Sequence, residues 1–254
     1  MSPKACRVGT PERAAISVRE FSFHEEFAPF PELTEREIHL WHRKLFPGEA
    51  GIAPLRSLLS EDELERAQRF RFDPDRHEFI HSRGTLRTLL GAYLRVPPEV
   101  LRFAYNSYAR PMLTGFTNLT ELDFNVSHSG GVTLWAFALG RKVGVDVEKA
   151  RCDFSTLEIA DRFFSASEQH TLRALPAEQR HEAFFRCWTR KESFIKALGE
   201  GLSHPLNQFD VTLAPGAQAQ LLATRPDAKE ATRWAMWDIA VPDGYTAALT
   251  AGLS

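Results

Sequence analysis

The chain has 254 residues, 43% hydrophobic and 25% charged, enough to bury roughly 70% of its unfolded surface as one large or two small domains without a disulfide or metal staple. Its 31 Lys and Arg residues against 33 Asp and Glu leave a net charge of −2. That excludes a surface built for a polyanion or an anionic membrane, so any anion handled here is held by a local cluster. Cys6, Cys152 and Cys187 lack C-x-x-C spacing and fit a reducing compartment. Residues 1–30 hold no apolar signal core, and the longest apolar run, Val132 to Leu139, is far short of the ~18 residues of a membrane helix. The expectation is a cytoplasmic protein with neither nucleic acid nor membrane as partner.

Residues 1–30 mix Pro, Glu and Phe without periodicity and read as a loose N-terminal extension. Ile38 to Trp41 reads as a short strand. Ser60 followed by Glu63 is a capping-box start, with Leu64, Ala67 and Phe70 continuing that helix until Asp73-Pro74 ends it. A second helix is predicted from Pro74 to Leu94, with Phe79, Leu86, Leu89, Leu90 and Tyr93 near one face. Leu101 to Thr120 is turn-rich. Val132–Leu139 reads as a central strand, apolar on both faces, and Val143–Glu148 as a strand of strict period 2. Ser155–Arg173 and Pro176–Gly199 are helical by period, and Trp234–Ala251 alternates as strands do. Strands and helices without a regular βαβ beat predict an α+β fold. A short internal repeat relates Arg76-His77-Glu78 to Arg180-His181-Glu182.

Three segments could carry chemistry. In Val143–Glu148 the valines share one face, while Gly144, Asp146 and Glu148 share the other, with the two carboxylates about 6–7 Å apart at Cα. That face suits one hard cation, with Gly144 leaving space beside it; the bland alternative is a solvated strand face. In Trp188–Leu202, Glu192 and Lys196 are four apart on one helix face, either a surface ion pair or a third carboxylate with a lysine for phosphate oxygen. Phe124–Gly131 sets His128 between Ser127 and Ser129 ahead of two glycines, either a loop hydrogen-bonding hub or an anion-holding turn. Arg66, Arg69, Arg83, Arg87 and Arg110 add positive charge. Three carboxylates, a lysine and scattered arginines suit a Mg²⁺–diphosphate substrate. A metal-dependent nuclease or phosphohydrolase uses a similar carboxylate set, but the absence of a lysine-rich run speaks against a polyanion.

In order and spacing, Phe124–Ser129, Val143–Glu148, Phe163-Phe164-Ser165 with Glu168, and the run W-x-x-K-E-x-x-x-K-x-x-G-x-G-L from Trp188 to Leu202 resemble the 4′-phosphopantetheinyl transferases, specifically the large monomeric type. The resemblance spans Arg36 to Ala251. It implies two similar α+β halves related by a pseudo-twofold, 31–142 and 143–254, which accounts for the weak repeat. It also implies transfer of 4′-phosphopantetheine from coenzyme A to a serine of an acyl or peptidyl carrier protein, with release of 3′,5′-ADP. Carried over position by position, Mg²⁺ ligands fall on Asp146, Glu148 and Glu192, and the phosphate-contacting lysine on Lys196. Coenzyme A contacts fall on Ser127, His128 and Arg66, and on Arg110 in an Ala109-Arg110-Pro111 stretch where the family has Gly-Lys-Pro. A further family lysine is replaced by Glu63, with Arg83 and Arg87 as candidate substitutes. The resemblance gives Glu192 and Lys196 the catalytic roles. In the helix and loop before Trp188, the surplus of large apolar residues Phe163, Phe164, Leu172, Leu175, Phe184 and Phe185 is either core or the apolar patch that meets the carrier protein.

Overall fold

In the computed structural model the described residues are 14–20, 30–44, 52–108, 110–115, 121–200 and 204–253. Cys6, Ala109, Gly201 and Leu202 lie outside them. Two sheets and two long helices dominate. The first sheet has strand order β1 (Ala15–Glu20), β2 (Glu37–Lys44), β6 (Val132–Leu139), β5 (Leu122–Ser129). The second runs β10 (Trp234–Asp238), β11 (Tyr245–Gly252), β7 (Val143–Lys149). Each sheet carries one 22-residue helix, α3 (Asp73–Leu94) and α6 (Ala177–Leu198), and both end on a left-handed residue, Arg95 and Gly199. The strands β2-β6-β5 and β7-β11-β10 repeat one order, and the Arg-His-Glu repeat lies in the first two turns of the two helices. The fold is α+β.

Several elements depart from the sequence reading. Residues 15–20 are a strand parallel to β2, so the N-terminal extension is not loose there; an edge strand of six residues shows too little alternation to be recognised. Helix α2 (Glu61–Gln68) stops short of Phe70, whereas α3 carries Pro74 in its first turn as expected, where a residue without N–H costs nothing. A short helix α1 (Ile52–Ser57) precedes α2, and Leu55 packs so closely on α3 that a Cβ on Gly84 would meet it at 2.6 Å. The turn-rich stretch holds a hairpin, β3 (Arg102–Tyr105) with β4 (Pro111–Thr114). The single helix expected over Ser155–Arg173 is two, α4 (Thr156–Phe163) and α5 (Ala166–Ala174). Ser165 divides them because it caps α5, its N–H donating to Glu168 Oε2 at 2.9 Å. A second small hairpin, β8 (Phe209–Val211) and β9 (Leu221–Thr224), stands against this region.

The two sheets meet at β5 and β7 without backbone pairing. Alternate β5 side chains accept from alternate β7 amides: Asp123 Oδ2 from Val143 (2.9 Å), Asn125 Oδ1 from Val145 (3.0 Å), Ser127 Oγ from Val147 (3.2 Å) and Ser129 Oγ from Lys149 (3.1 Å). A period-2 row of short polar side chains therefore replaces a neighbouring strand and satisfies four β7 amides, those of Val145 and Val147 buried. Behind the ladder, Val143, Val145 and Val147 join Leu40, Leu134, Ala136 and Leu249 in one apolar core.

Candidate active site

The front face of β7 presents Gly144, Asp146 and Glu148 to α6. Gly144 leaves no room for a ligand, contrary to the sequence reading. A Cβ there would stand 2.1 Å from the Ser193 carbonyl oxygen and 2.3 Å from the Ala197 nitrogen, so its role is to let helix and strand touch. That contact brings Glu192 and Lys196, on one face of α6, over Asp146.

Asp146 is 3% exposed. Its Oδ1 accepts from Lys196 Nζ at 2.6 Å and from Ser127 Oγ at 2.9 Å, and Lys196 also donates to Ser127 Oγ at 2.8 Å. The Ser127 hydroxyl is thus saturated, taking the Val147 amide and Lys196 as donors and giving its proton to Asp146. Glu148 accepts from Ser129 Oγ at 2.9 Å. Burial raises the Asp146 carboxyl despite Lys196, and burial with the Asp146 charge raises Glu148. Glu192 is pushed up to about 7 by burial, then by Asp146 and Glu148. Asp146 Oδ2 and Glu192 Oε1 are buried and accept from no donor.

Among the described residues, no three His, Cys, Asp or Glu side chains stand close enough as arranged here to enclose a metal ion. The donor set nonetheless fits a hard divalent cation. Buried carboxylates that raise one another's proton affinity, with two oxygens lacking donors, are relieved by one positive charge. Mg²⁺ also needs only one or two protein carboxylates when substrate phosphates and waters complete its shell.

Other expected site residues stand apart from this centre. Arg66 is exposed, its guanidinium over the rings of Phe79 (5.2 Å) and Tyr105 (5.8 Å). His128 faces away from Ser127 and pairs with Glu78 at 3.6 Å, which holds the Glu78 carboxyl below its ordinary range. Arg87 is no substitute phosphate ligand. It is buried on Glu63 Oε2 at 2.6 Å, with Ser60 Oγ and the carbonyls of Pro98 and Leu101 as further acceptors; Arg83 lies on the same carboxylate at 3.5 Å. Glu63 therefore pairs with two internal arginines, offsetting one of their two charges. Arg110 also turns inward, onto Asp123 and backbone carbonyls, leaving its phosphate role without geometric support. Of the apolar candidates before Trp188, Phe164, Leu172, Phe184 and Phe185 are core and Leu175 is partly buried. Phe163 is 38% exposed, edge-on to Trp188 at 5.9 Å.

Sequence reasoning gave no role to Lys191, beside Glu192. It is fully buried, 2.8 Å from Glu168 Oε2, and donates to the carbonyls of Leu206 and Phe209 at 2.7 Å each. Glu168 also accepts from Val211 N at 2.8 Å. The pair ties α5, α6 and β8 together behind the site; only a partner for the buried-side lysine could have announced it, and that partner is 23 positions away in sequence.

A buried carboxylate cluster on a strand, faced by a lysine-bearing helix at a seam between two like α+β halves, defines a candidate phosphoryl-transfer centre. Residues 142–250 match the model of the 4′-phosphopantetheinyl transferase superfamily, and residues 46–138 that of the 4′-phosphopantetheinyl transferase N-terminal region. Among curated proteins the chain is 37% identical over 221 residues to 4′-phosphopantetheinyl transferase HetI of Nostoc sp., spanning 86% of this chain and 90% of that protein. It is 33% identical over 165 residues to 4′-phosphopantetheinyl transferase Sfp of Bacillus subtilis, spanning 65% and 71%. A solved holo-[acyl-carrier-protein] synthase of Thermotoga maritima aligns at 22% identity and TM-score 0.35, covering 44% of this chain and 62% of that one. The chain belongs to the 4′-phosphopantetheinyl transferase family. It is an enzyme that transfers 4′-phosphopantetheine.

Proposed function

We propose that the seam between β7 and α6 is where this chain moves 4′-phosphopantetheine from coenzyme A to a carrier-protein serine. The observation that carries the assignment is the Asp146–Lys196–Ser127 contact beneath two donorless carboxylate oxygens. The serine hydroxyl attacks the β-phosphorus of coenzyme A. The bond from that phosphorus to the bridging oxygen breaks, and 3′,5′-ADP leaves with that oxygen. Glu192, on the face of α6 beside Asp146, takes the serine proton. Lys196 meets the charge building on the phosphoryl oxygens, where a fixed cation contributes most. Ser127 holds Lys196 and Asp146 in register.

Asp146, Glu148 and Glu192 are the residues that would hold Mg²⁺, which when bound supplies positive charge to the diphosphate. Arg66 and His128, both with exposed side chains on the N-terminal half, are the remaining cationic candidates for coenzyme A. Residues 31–142 and 143–254 act as two halves of one monomer in the cytoplasm. No helix among the described residues is long and apolar enough to cross a membrane. The test is intact mass of an apo carrier protein incubated with the enzyme, coenzyme A and Mg²⁺. A gain of one phosphopantetheine, lost on chelation and lost in Asp146→Ala, supports the assignment; transfer at the wild-type rate in Asp146→Ala refutes it.

A further inference from the structure

The turn between β3 and β4 reaches from the N-terminal half onto the end of α6. Asn106 Nδ2 donates to the Gly199 carbonyl at 2.7 Å, while Asn106 Oδ1 accepts from the amides of Tyr108 (2.9 Å) and Arg110 (3.0 Å). Arg110 Nη1 donates to the carbonyls of Lys196 and, at 3.4 Å, Ala197. Its Nη2 lies 2.9 Å from both Asp123 carboxylate oxygens, 3.1 Å from the Phe124 carbonyl and 3.3 Å from that of Val143. Asp123 is also the first rung of the β5–β7 ladder.

The last carbonyls of an α-helix have no intrahelical partner, and a cation there is favourable. Here one guanidinium occupies the last turn of α6, the edge of β5 and the first residue of β7 at once. The residue whose carbonyl it holds is Lys196, whose side chain holds Asp146. Lys196 is therefore fixed from its backbone by Arg110 and from its ammonium by Asp146 and Ser127, and Glu192 lies one turn earlier on the same helix.

We propose that Arg110 is a positioning residue for the transfer and not a phosphate ligand: with Asp123 and Asn106 it clamps the C-terminal turn of α6 to β5 and β7, setting Lys196 and Glu192 against Asp146. The inference rests on the reading that Lys196 and Glu192 carry the transfer. In this chain the clamp uses a planar fork with donors on two sides, and a lysine in its place supplies one point charge on a flexible stem that does not span both acceptor groups.

The test uses the full chain carrying Arg110→Ala, Arg110→Lys or Asp123→Asn, with three readouts. These are kcat and KM on an apo carrier protein, the coenzyme A Kd by calorimetry, and hydrogen–deuterium exchange of the amides of 196–200. Displacing a catalytic group by about 1 Å costs on the order of 100-fold, so kcat falls roughly 10- to 100-fold in both Arg110 variants. The coenzyme A Kd stays within about threefold, and exchange at 199–200 rises, because loosening that turn leaves the ligand's own contacts in place. Asp123→Asn gives the same pattern more weakly, and combining it with Arg110→Ala adds less than the sum, since both act through one clamp. Coenzyme A binding weakened tenfold or more with exchange unchanged, and restored by Arg110→Lys, overturns the proposal and makes Arg110 a phosphate ligand. If Arg110→Ala does not fold, Arg110→Lys decides, since it keeps charge and stem. An unimpaired kcat in Lys196→Ala removes the reading of the transfer centre, while the exchange data still decide the clamp.

Discussion

Glu192→Gln is expected to stabilise the metal-free protein, and to do so only at neutral and alkaline pH. The Glu192 carboxyl is raised from 4.5 to about 7 by burial and by the charges of Asp146 and Glu148. A group held above its unfolded value keeps its proton longer in the folded chain. Stability is whole below about pH 4.5, falls as the unfolded carboxyl ionises, and is fully reduced once pH passes the folded value near 7. At about 1.4 kcal/mol per pH unit, the shift amounts to about 3 kcal/mol at pH 8 and under about 1 kcal/mol at pH 5. The variant loses that penalty but buries an amide, so a gain of about 2 kcal/mol at pH 8 is expected, or roughly 4–8 °C in Tm for a chain of this size. Urea or thermal melts of both proteins at pH 5 and pH 8 in excess chelator measure it. A gain equal at the two pH values, or none at pH 8, refutes the claim that burial and neighbouring charge hold the Glu192 carboxyl above its ordinary range. The trade between stability and a strained functional centre is the expected one.

Further outcomes can be checked directly. Asp146→Ala abolishes transfer while the far-UV circular dichroism spectrum stays native, because the residue lines the seam and contributes nothing to the valine core behind it. Lys196→Ala lowers kcat more than it raises the coenzyme A Kd, since its charge acts chiefly as negative charge builds; the opposite split overturns its role. Glu168→Ala lowers stability by about 3–5 kcal/mol in urea melts, because it leaves the Lys191 ammonium buried and unpaired. Gly144→Ala is strongly destabilising, as its methyl meets α6 backbone at 2.1 Å, and a wild-type Tm refutes the close helix–strand contact.

Much of the fold is legible in the sequence. The two 22-residue helices declare themselves by period and by Pro and Gly punctuation. Asp146 and Glu148 on one strand face, and Glu192 with Lys196 on one helix turn, follow from local geometry alone, and the family's motif states that they belong together. Local pattern determines such features because the i, i+2 and i, i+4 neighbours of a side chain are fixed by the backbone. Tertiary structure alone decides which charges are occupied. Arg87 and Arg110 look like free cations in the sequence; folding spends one on Glu63, 24 positions away, and the other on a helix end 86 positions away. Gly144 reads as open space until α6 lies on it, and Ser127 and Ser129 read as a loop hub or an anion-holding turn until β7 supplies the amides they accept. Partners distant in sequence are chosen by packing, and packing also sets the burial that lifts Glu192 toward neutrality.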